Sequence, residues 1–232
     1  MIDLFPQGFE ELEHGDGVEL VAYTDARGEE LLWQAFGHAS ATAVDEGWEH
    51  RWRMFHRPVE VGDLWIGAPW HEAPSNGVSV VIDPGRAFGT GSHATTRLVL
   101  QLVMKLERGS LLDVGCGSGV VSIAAAKLGF GPITAWDLDE NAVEATRRNA
   151  MANDVELDVR RGDGTAVDLE PVDVCVANVT LEVVERVAAR VRCAHLVTSG
   201  YLLSDEPQLS SFERIERIGE EGWAADLFRP AQ

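Results

Sequence analysis

The feature that most constrains the fold is a regular alternation of strand-like and helix-like patterns that begins after Gly109. Short runs rich in β-branched residues alternate there with longer stretches whose apolar residues recur at helical spacing. The predicted strands are 110–114, 132–137, 156–160, 172–178 and 194–200, and the predicted helices are 119–128, 140–153 and 181–191. This alternation predicts an α/β fold with right-handed crossovers and a parallel sheet covered on both faces. Two further runs, 212–218 and 223–228, predict an antiparallel hairpin that closes the sheet.

The chain upstream of this pattern is predicted to form two smaller parts. Residues 1–45 contain a strand-like run at 18–23, a helical pattern at 29–36 and a short strand at 40–44. These elements are too few for an independent core, so we expect an appended subdomain. Residues 46–76 are expected to be a linker, and residues 77–232 the main domain.

The predicted linker holds four of the seven tryptophans, between Trp48 and Trp70, interleaved with arginines and histidines. Such a segment could be a recognition surface, because aromatic and arginine side chains stack on bases. Alternatively, Trp48 and Trp52 lie one helical turn apart and pack the linker against the main domain.

The net charge of −19 arises from 38 acidic and 19 basic side chains. A field of this sign repels nucleic acid and anionic lipid and attracts basic partners, although it could also serve solubility alone. We therefore expect a basic protein partner and no direct binding to nucleic acid.

Cysteine usage and hydropathy predict a reduced, cytoplasmic protein. Cys116, Cys175 and Cys193 show no C-x-x-C spacing, and the seven histidines form no metal-binding motif. We expect no structural metal. No apolar run reaches the roughly 18 residues of a membrane span, and the first residues lack a basic start, so no membrane association is expected. Without an assembly motif, a monomer is expected.

The strongest local motif is a glycine-rich turn, Asp113-x-Gly115-x-Gly117-x-Gly119, placed between a predicted strand and a predicted helix. Glycine lets the backbone turn sharply and approach a ligand closely. The turn alone is a weak signal, because dinucleotide enzymes use a related one. Asp113 could face the cationic sulfonium of S-adenosylmethionine, where a pyrophosphate would be repelled. Asp137 ends the next strand and could accept both ribose hydroxyls, which suits NAD equally well.

Two other polar residues follow predicted strands. Asp163 could accept a hydrogen bond from an adenine amino group, or it could be an ordinary turn or cap residue. Asn178 ends the fourth strand, and ligands bind at the carboxyl ends of parallel strands. We favour a functional role for Asn178 over a turn-forming one.

A loop containing three glycines, Gly85, Gly89 and Gly91, precedes the alternating region. The strand-like run 78–82 ends at Asp83-Pro84-Gly85, and a helix is predicted to begin near 92–96, where hydroxyl and small residues suit a helix cap. Leu98, Leu102 and Leu106 then form an apolar stripe at helical spacing.

Together these motifs resemble the bacterial ribosomal-protein methyltransferase family PrmA. The matching stretches are DPGRAFGTGSHATTRL at 83–98, LLDVGCGSG at 111–119, the pair Asp137 and Asp139, and Ala177-Asn178, with further similarity in the linker. The resemblance covers nearly all of 45–232. It implies a class I, S-adenosylmethionine-dependent methyltransferase fold, Rossmann-like with a mostly parallel seven-stranded sheet. Residues 1–45 would then be a truncated α+β substrate-recognition subdomain.

The resemblance also implies roles for individual residues. Thr96, Gly115, Asp137 and Asn178 would contact the cofactor, and the loop Phe88–His93, including Gly89 and Thr90, would fold over the methyl-transfer site. The family methylates amino groups of a large-subunit stalk-base protein. This chain departs from the family after Asn178, where Val179-Thr180-Leu181 replaces the usual Ile-Leu-Ala.

The expected function is therefore amine N-methylation, in which a neutral amine attacks the methyl group in line and the Asn178 amide oxygen orients the lone pair. No general base stands out. Alternatives are a methyltransferase acting on a small amine or another protein, a non-catalytic cofactor-binding protein, and a nicotinamide-linked oxidoreductase.

Overall fold

The computed structural model describes residues 10–14, 17–22, 24, 26–36, 40, 57–83, 91–166 and 170–231. The chain divides into two compact units, Met1–Arg53 and Met54–Gln232. Trp48, Trp52 and positions 41–44 of a predicted strand lie outside the described residues, and the division into three parts expected above stays a prediction.

The first unit contains a β-hairpin and a helix. Strands β1, Glu10–His14, and β2, Gly17–Val21, pair antiparallel. Helix α1 spans Ala26–Phe36, so the predicted helix is confirmed and begins earlier than position 29.

A small three-stranded sheet opens the described part of the second unit. Strand β3, Val59–Val61, pairs antiparallel with β4, Leu64–Gly67, which pairs parallel with β5, Val78–Val81. Gly62, with φ of 56°, makes the turn between β3 and β4. Both strands lie within 46–76, where only a linker was predicted, whereas β5 matches its prediction. Strand β5 is one of the two edge strands of this sheet.

The second unit is built on a seven-stranded sheet, and the predicted mostly parallel sheet is confirmed. Its strands are β6 Leu111–Val114, β7 Ile133–Asp137, β8 Asp158–Arg161, β9 Val172–Asn178, β10 Cys193–Leu202, β11 Phe212–Glu220 and β12 Trp223–Pro230. They lie in the order β11-β12-β10-β9-β6-β7-β8. Strands β6 to β10 are parallel, and the closing hairpin of β11 and β12 is antiparallel, as predicted.

Helices cover both faces of this sheet. They are α2 Ala94–Met104, α3 Val120–Lys127, α4 Glu140–Ala152 and α5 Leu181–Ala188. Successive strand residues point to opposite faces. Leu111 accordingly packs in the core cluster that includes α2 and α3, and its neighbour Leu112 packs in the cluster that includes α5. Burial on both faces explains why the inner parallel strands β6 and β9 are rich in apolar residues, whereas the edge strand β8 is not.

Helix α2 begins within the predicted range of 92–96, but its capping residue differs from the prediction. The helix begins at Ala94, and its cap is His93, not a serine or threonine; Nδ1 of His93 accepts the Thr95 amide at 3.4 Å. Burial, followed by the charge of Arg97, lowers the pKa of His93, which favours the neutral ring that can accept this bond. The predicted apolar stripe is confirmed, because Leu98 and Leu102 are buried and Leu106 packs against the same core.

Among the described residues, no helix combines the length and the apolar character needed to cross a membrane. The three cysteines are buried and free.

Candidate functional site

The glycine-rich turn lies at the point where the strand order reverses. From β6 the chain proceeds to β7 and β8 on one side, and β9 and β10 lie on the other. Ligands of open α/β sheets bind at the carboxyl ends of the strands at such a switch point. The site is therefore expected where β6, β7 and β9 end.

The turn itself needs glycine at three positions. Gly115, Gly117 and Gly119 have φ values of 80°, 57° and 83°, a region that side chains rarely adopt. The amides of Gly115 and Cys116 both donate to the carbonyl of Trp136, at 2.8 and 3.1 Å. The turn is thus bound to the end of β7.

Gly115 also brings the turn against the segment after β9. A Cβ atom at this position would lie 2.3 Å from Cγ1 of Val179, the residue that follows Asn178. The close approach places the candidate cofactor turn directly beside the candidate catalytic residue.

Asp137 contacts the glycine turn through its carboxylate. Its Oδ2 accepts the amide of Gly117 at 2.9 Å, and its Oδ1 accepts the amide of Asp139 at 2.9 Å. Asp139 in turn caps α4 by accepting the amide of Asn141. The end of β7 and the turn therefore form one hydrogen-bonded unit.

Asp113 is placed deeper than its neighbours. Its side chain is 2% exposed, and Ser122 on α3 donates its hydroxyl to Oδ2 at 2.6 Å. Burial, together with the negative charge of Asp137, raises the pKa of Asp113 to about 6. A cationic ligand group nearby would favour the ionised form, which is consistent with the predicted role.

Asn178 is partly buried at the end of β9, opposite Ser199 on β10. Within the described ranges, no hydrogen bond is found for its side-chain amide. The next residue, Val179, donates its amide to the Ser199 carbonyl at 3.1 Å. Beyond Ser199, β10 forms a bulge at Gly200, which has φ of 98°. A Cβ atom there would lie 2.0 Å from the carbonyl oxygen of Val179.

Five predicted site residues remain. Two of them, Thr96 and Asp163, are among the described residues. Phe88, Gly89 and Thr90 lie outside the described residues. Thr96 is buried at 3% exposure in the first turn of α2, where its amide donates to the His93 carbonyl. The His93 ring meets the Trp223 ring edge-on, with centroids 4.9 Å apart.

Asp163 follows β8 and makes a local turn. Its Oδ1 accepts the amide and the hydroxyl of Thr165 at 2.8 and 2.6 Å. These bonds lower the pKa of Asp163. Of the two roles predicted for it, the turn-forming role is the one the contacts support, and contact with an adenine stays a prediction.

Sequence reasoning did not single out two features of this region. Leu138, directly after Asp137, is 66% exposed and offers an apolar surface beside the predicted ribose site. The sequence signal that could have found Leu138 is its position directly after Asp137, the acidic residue that ends β7. The other feature is on α4, where Thr146 and Asn149 donate to the carbonyls of Gly117 and Ser118, both at 2.9 Å.

No group of three or more metal-ligating side chains occurs in the part of the chain that the structure describes. The groups that a ligand could contact are the backbone of the glycine turn, the carboxylates of Asp113 and Asp137, and the side-chain amide of Asn178. They lie at adjoining strand ends. This arrangement suits a nucleoside-bearing, cationic ligand better than a pyrophosphate.

The sheet order, the closing hairpin and the glycine turn at the switch point define a class I, Rossmann-like methyltransferase. The family follows from comparison with known proteins. The model of the family described as ribosomal protein L11 methyltransferase (PrmA) matches residues 12–224, and the chain belongs to that family.

Individual relatives agree with this assignment. A ribosomal protein L11 methyltransferase of Shewanella sp. (strain ANA-3) is 36% identical over 210 residues, covering 84% of this chain and 71% of the relative. The ribosomal protein L11 methyltransferase of Neisseria meningitidis serogroup C is 37% identical over 224 residues, covering 90% of this chain and 75% of the relative. A crystal structure of a ribosomal protein L11 methylase from Lactobacillus delbrueckii subsp. bulgaricus has the same fold, with a TM-score of 0.67 at 23% identity. It covers 76% of this chain and 100% of that one.

Proposed function

We propose that this protein is an S-adenosylmethionine-dependent N-methyltransferase acting on lysine or N-terminal amino groups of a basic ribosomal protein. The acceptor named in its relatives is ribosomal protein L11. The observation that carries the proposal is the 2.3 Å approach between the Cβ position of Gly115 and Val179. It joins a cofactor turn to the segment holding Asn178, so that donor and acceptor sites adjoin.

The described residues fit this cofactor. The glycine turn leaves its backbone unobstructed, the Asp137 carboxylate can exchange its turn contacts for ribose hydroxyls, and Leu138 can pack on the adenine. Asp113 places negative charge beneath a sulfonium. Thr96, Phe88, Gly89 and Thr90 extend the set by resemblance to the family, and Asp163 extends it by its position after β8.

When bound, S-adenosylmethionine supplies an electrophilic methyl group. The acceptor amine must be neutral to attack, although a free lysine has a pKa near 10.4. Asn178 accepts one N–H of this amine through its amide oxygen and so directs the lone pair. The proton leaves to solvent, and the protein's main contribution is alignment.

The acceptor class rests on charge and on the family. The net charge of −19 attracts a basic polypeptide and accelerates its encounter with the site. A small amine or another protein is the second candidate acceptor. We expect the protein to act in the cytoplasm, as a monomer, without direct contact to nucleic acid or membrane.

The catalytic assignment is tested by replacing Asn178 with alanine. Cofactor affinity, measured by calorimetry, should stay within roughly tenfold of the wild type, while turnover falls by about 100-fold or more. Asn76→Ala, at an exposed position before β5, is the matched control and should leave both unchanged. Unchanged turnover in Asn178→Ala would remove this residue from the site.

The acceptor is tested with labelled methyl groups. Lysates with and without ribosomes, and purified L11, would be incubated with the enzyme and labelled S-adenosylmethionine. Label in L11 is expected, and label only in other proteins or small amines would favour the second candidate.

A further inference from the structure

One face of α4 carries three buried polar side chains. Thr146, Asn149 and Asn153, the last at the helix C-cap, are 0%, 2% and 5% exposed. Spacings of three and four residues place them on the same side of the helix. Buried polar groups must find partners inside the protein, and the partners of these three lie in two different segments.

The first segment is the glycine-rich turn. Thr146 donates its hydroxyl to the carbonyl of Gly117, and Nδ2 of Asn149 donates to the carbonyl of Ser118, both at 2.9 Å. These bonds fix the orientation of two consecutive peptide planes in the turn that the cofactor would contact.

The second segment is the outer edge of β5. Asn153 forms two hydrogen bonds with Val81, accepting its amide at 2.9 Å and donating to its carbonyl at 2.6 Å. Two residues on, the amide of Asp83 donates to Oδ1 of Asn149 at 3.0 Å. Asp83 is the last described residue before 84–90, the stretch that contains Phe88 and Thr90.

Among these three side chains, Asn149 alone contacts both segments. Its Nδ2 contacts the turn, and its Oδ1 contacts the start of the loop, 31 and 66 residues away in sequence. Thr146 contacts only the turn side, and Asn153 contacts β5 and the carbonyl of Asn149. The chain therefore contains its own matched controls.

We infer that Asn149 is a positioning residue for methyl transfer, which couples occupancy of the glycine turn to the placement of Asp83. The inference rests on the proposed function, because it requires the cofactor to bind at this turn. Cofactor contacts hold the Ser118 peptide in place, and the fixed Asn149 amide then restrains the Asp83 amide. Coupling between two sites is reciprocal, so restraint at Asp83 also strengthens binding at the turn.

The test measures amide hydrogen exchange in the full chain with and without S-adenosylhomocysteine, with binding followed by calorimetry on the same sample. In the wild type, we expect the ligand to slow exchange at Asp83 by about tenfold. The Val78 amide, which donates to the Asp63 carbonyl and not to α4, reports any general stabilisation and should change much less.

Variants separate coupling from simple support. Asn149→Ala should abolish the ligand-dependent slowing at Asp83 and lower kcat at saturating cofactor by about tenfold. Thr146→Val should weaken cofactor binding but retain the slowing. Asn153→Ala should speed exchange at Val81 without removing the response at Asp83.

Each outcome decides a different statement. If S-adenosylhomocysteine fails to bind the wild type, the proposed function is wrong. If it binds and the exchange of Asp83 does not change relative to Val78, the proposed function stands and the coupling role of Asn149 is wrong. The wild-type measurement alone decides this, even if Asn149→Ala does not fold.

Discussion

The guanidinium of Arg97 donates from both Nε and Nη2 to one oxygen of Glu220, Oε1, at 3.1 and 2.8 Å. Arg97 lies in the first turns of α2, and Glu220 ends β11. The same guanidinium reaches Glu221 at 2.9 Å and the carbonyl of Ser92. One side chain thus connects the start of α2 to the closing hairpin of the sheet.

We predict that Arg97→Gln lowers the free energy of unfolding by about 1–2 kcal/mol, because charge-assisted bonds of a side chain that is only 15% exposed are lost. Urea denaturation measures this change. Arg148→Gln is the control, since its pair with Glu144 is exposed and 3.7 Å long, and it should change stability by less than about 0.5 kcal/mol. Equal effects in the two variants would contradict the prediction.

Gly115→Ala should weaken cofactor binding by about tenfold or more. The new methyl group would have to displace Val179, in addition to the roughly 1–2 kcal/mol that a positive φ costs a side chain. Gly129→Ala is the matched control, because Gly129 has φ of 94° and no heavy atom within 4 Å of its Cβ position. It should lose stability and keep its affinity in calorimetric titration.

Gly200→Ala should reduce turnover more than cofactor affinity. Its Cβ atom would lie 2.0 Å from the Val179 carbonyl, which is backbone, so the segment carrying Asn178 must shift. Gly222→Ala, at φ of 80° in the β11–β12 turn with open space around it, isolates the cost of the backbone conformation. Comparing kcat with the dissociation constant in both variants tests this. A matching loss of kcat in Gly222→Ala would refute the explanation.

Asp113 should make stability depend on pH in an unusual direction. Its pKa is raised to about 6, so the folded protein binds this proton more tightly than the unfolded chain does. The stabilisation is fully present below the unfolded value near 3.9 and is lost as the pH rises through about 6.

Asp113→Asn removes this dependence. We compare the free energy of unfolding of the variant minus that of the wild type at the two pH values. This difference should be larger at pH 7 than at pH 4, by up to about 3 kcal/mol. Denaturation curves at both pH values measure it. A difference that is constant with pH would show that folding does not raise the pKa of Asp113.

The parallel sheet could be predicted from the sequence because most of its strands, such as β6 and β9, are short runs rich in apolar residues and bounded by glycine, proline or a polar residue. Strands β3 and β4 were missed because they contain three and four residues and are stabilised by pairing with each other and with β5. The cap of α2 was missed because histidine is an uncommon cap, and its neighbours Ser92 and Thr95 are better candidates by propensity.

The candidate site was predictable where its signals are local. The glycine spacing, Asp137 and Asn178 each stand at a strand end that the hydrophobic pattern locates. The proposed role of Asn149 could not be predicted from the sequence, because an asparagine inside a helix carries no signal of its own. Its hydrogen-bond partners are also far away along the chain. Only the folded arrangement of β5, α4 and the turn brings them together.

The double hydrogen bond between Asn153 and Val81 has a consequence for association between molecules. An edge strand with free N–H and C=O groups can recruit a strand from a second chain and begin aggregation. At Val81 both groups are already bound by a side chain of the same molecule, and at Asp83 the amide is bound as well. A helix side chain thus closes this end of the small sheet to intermolecular strand addition.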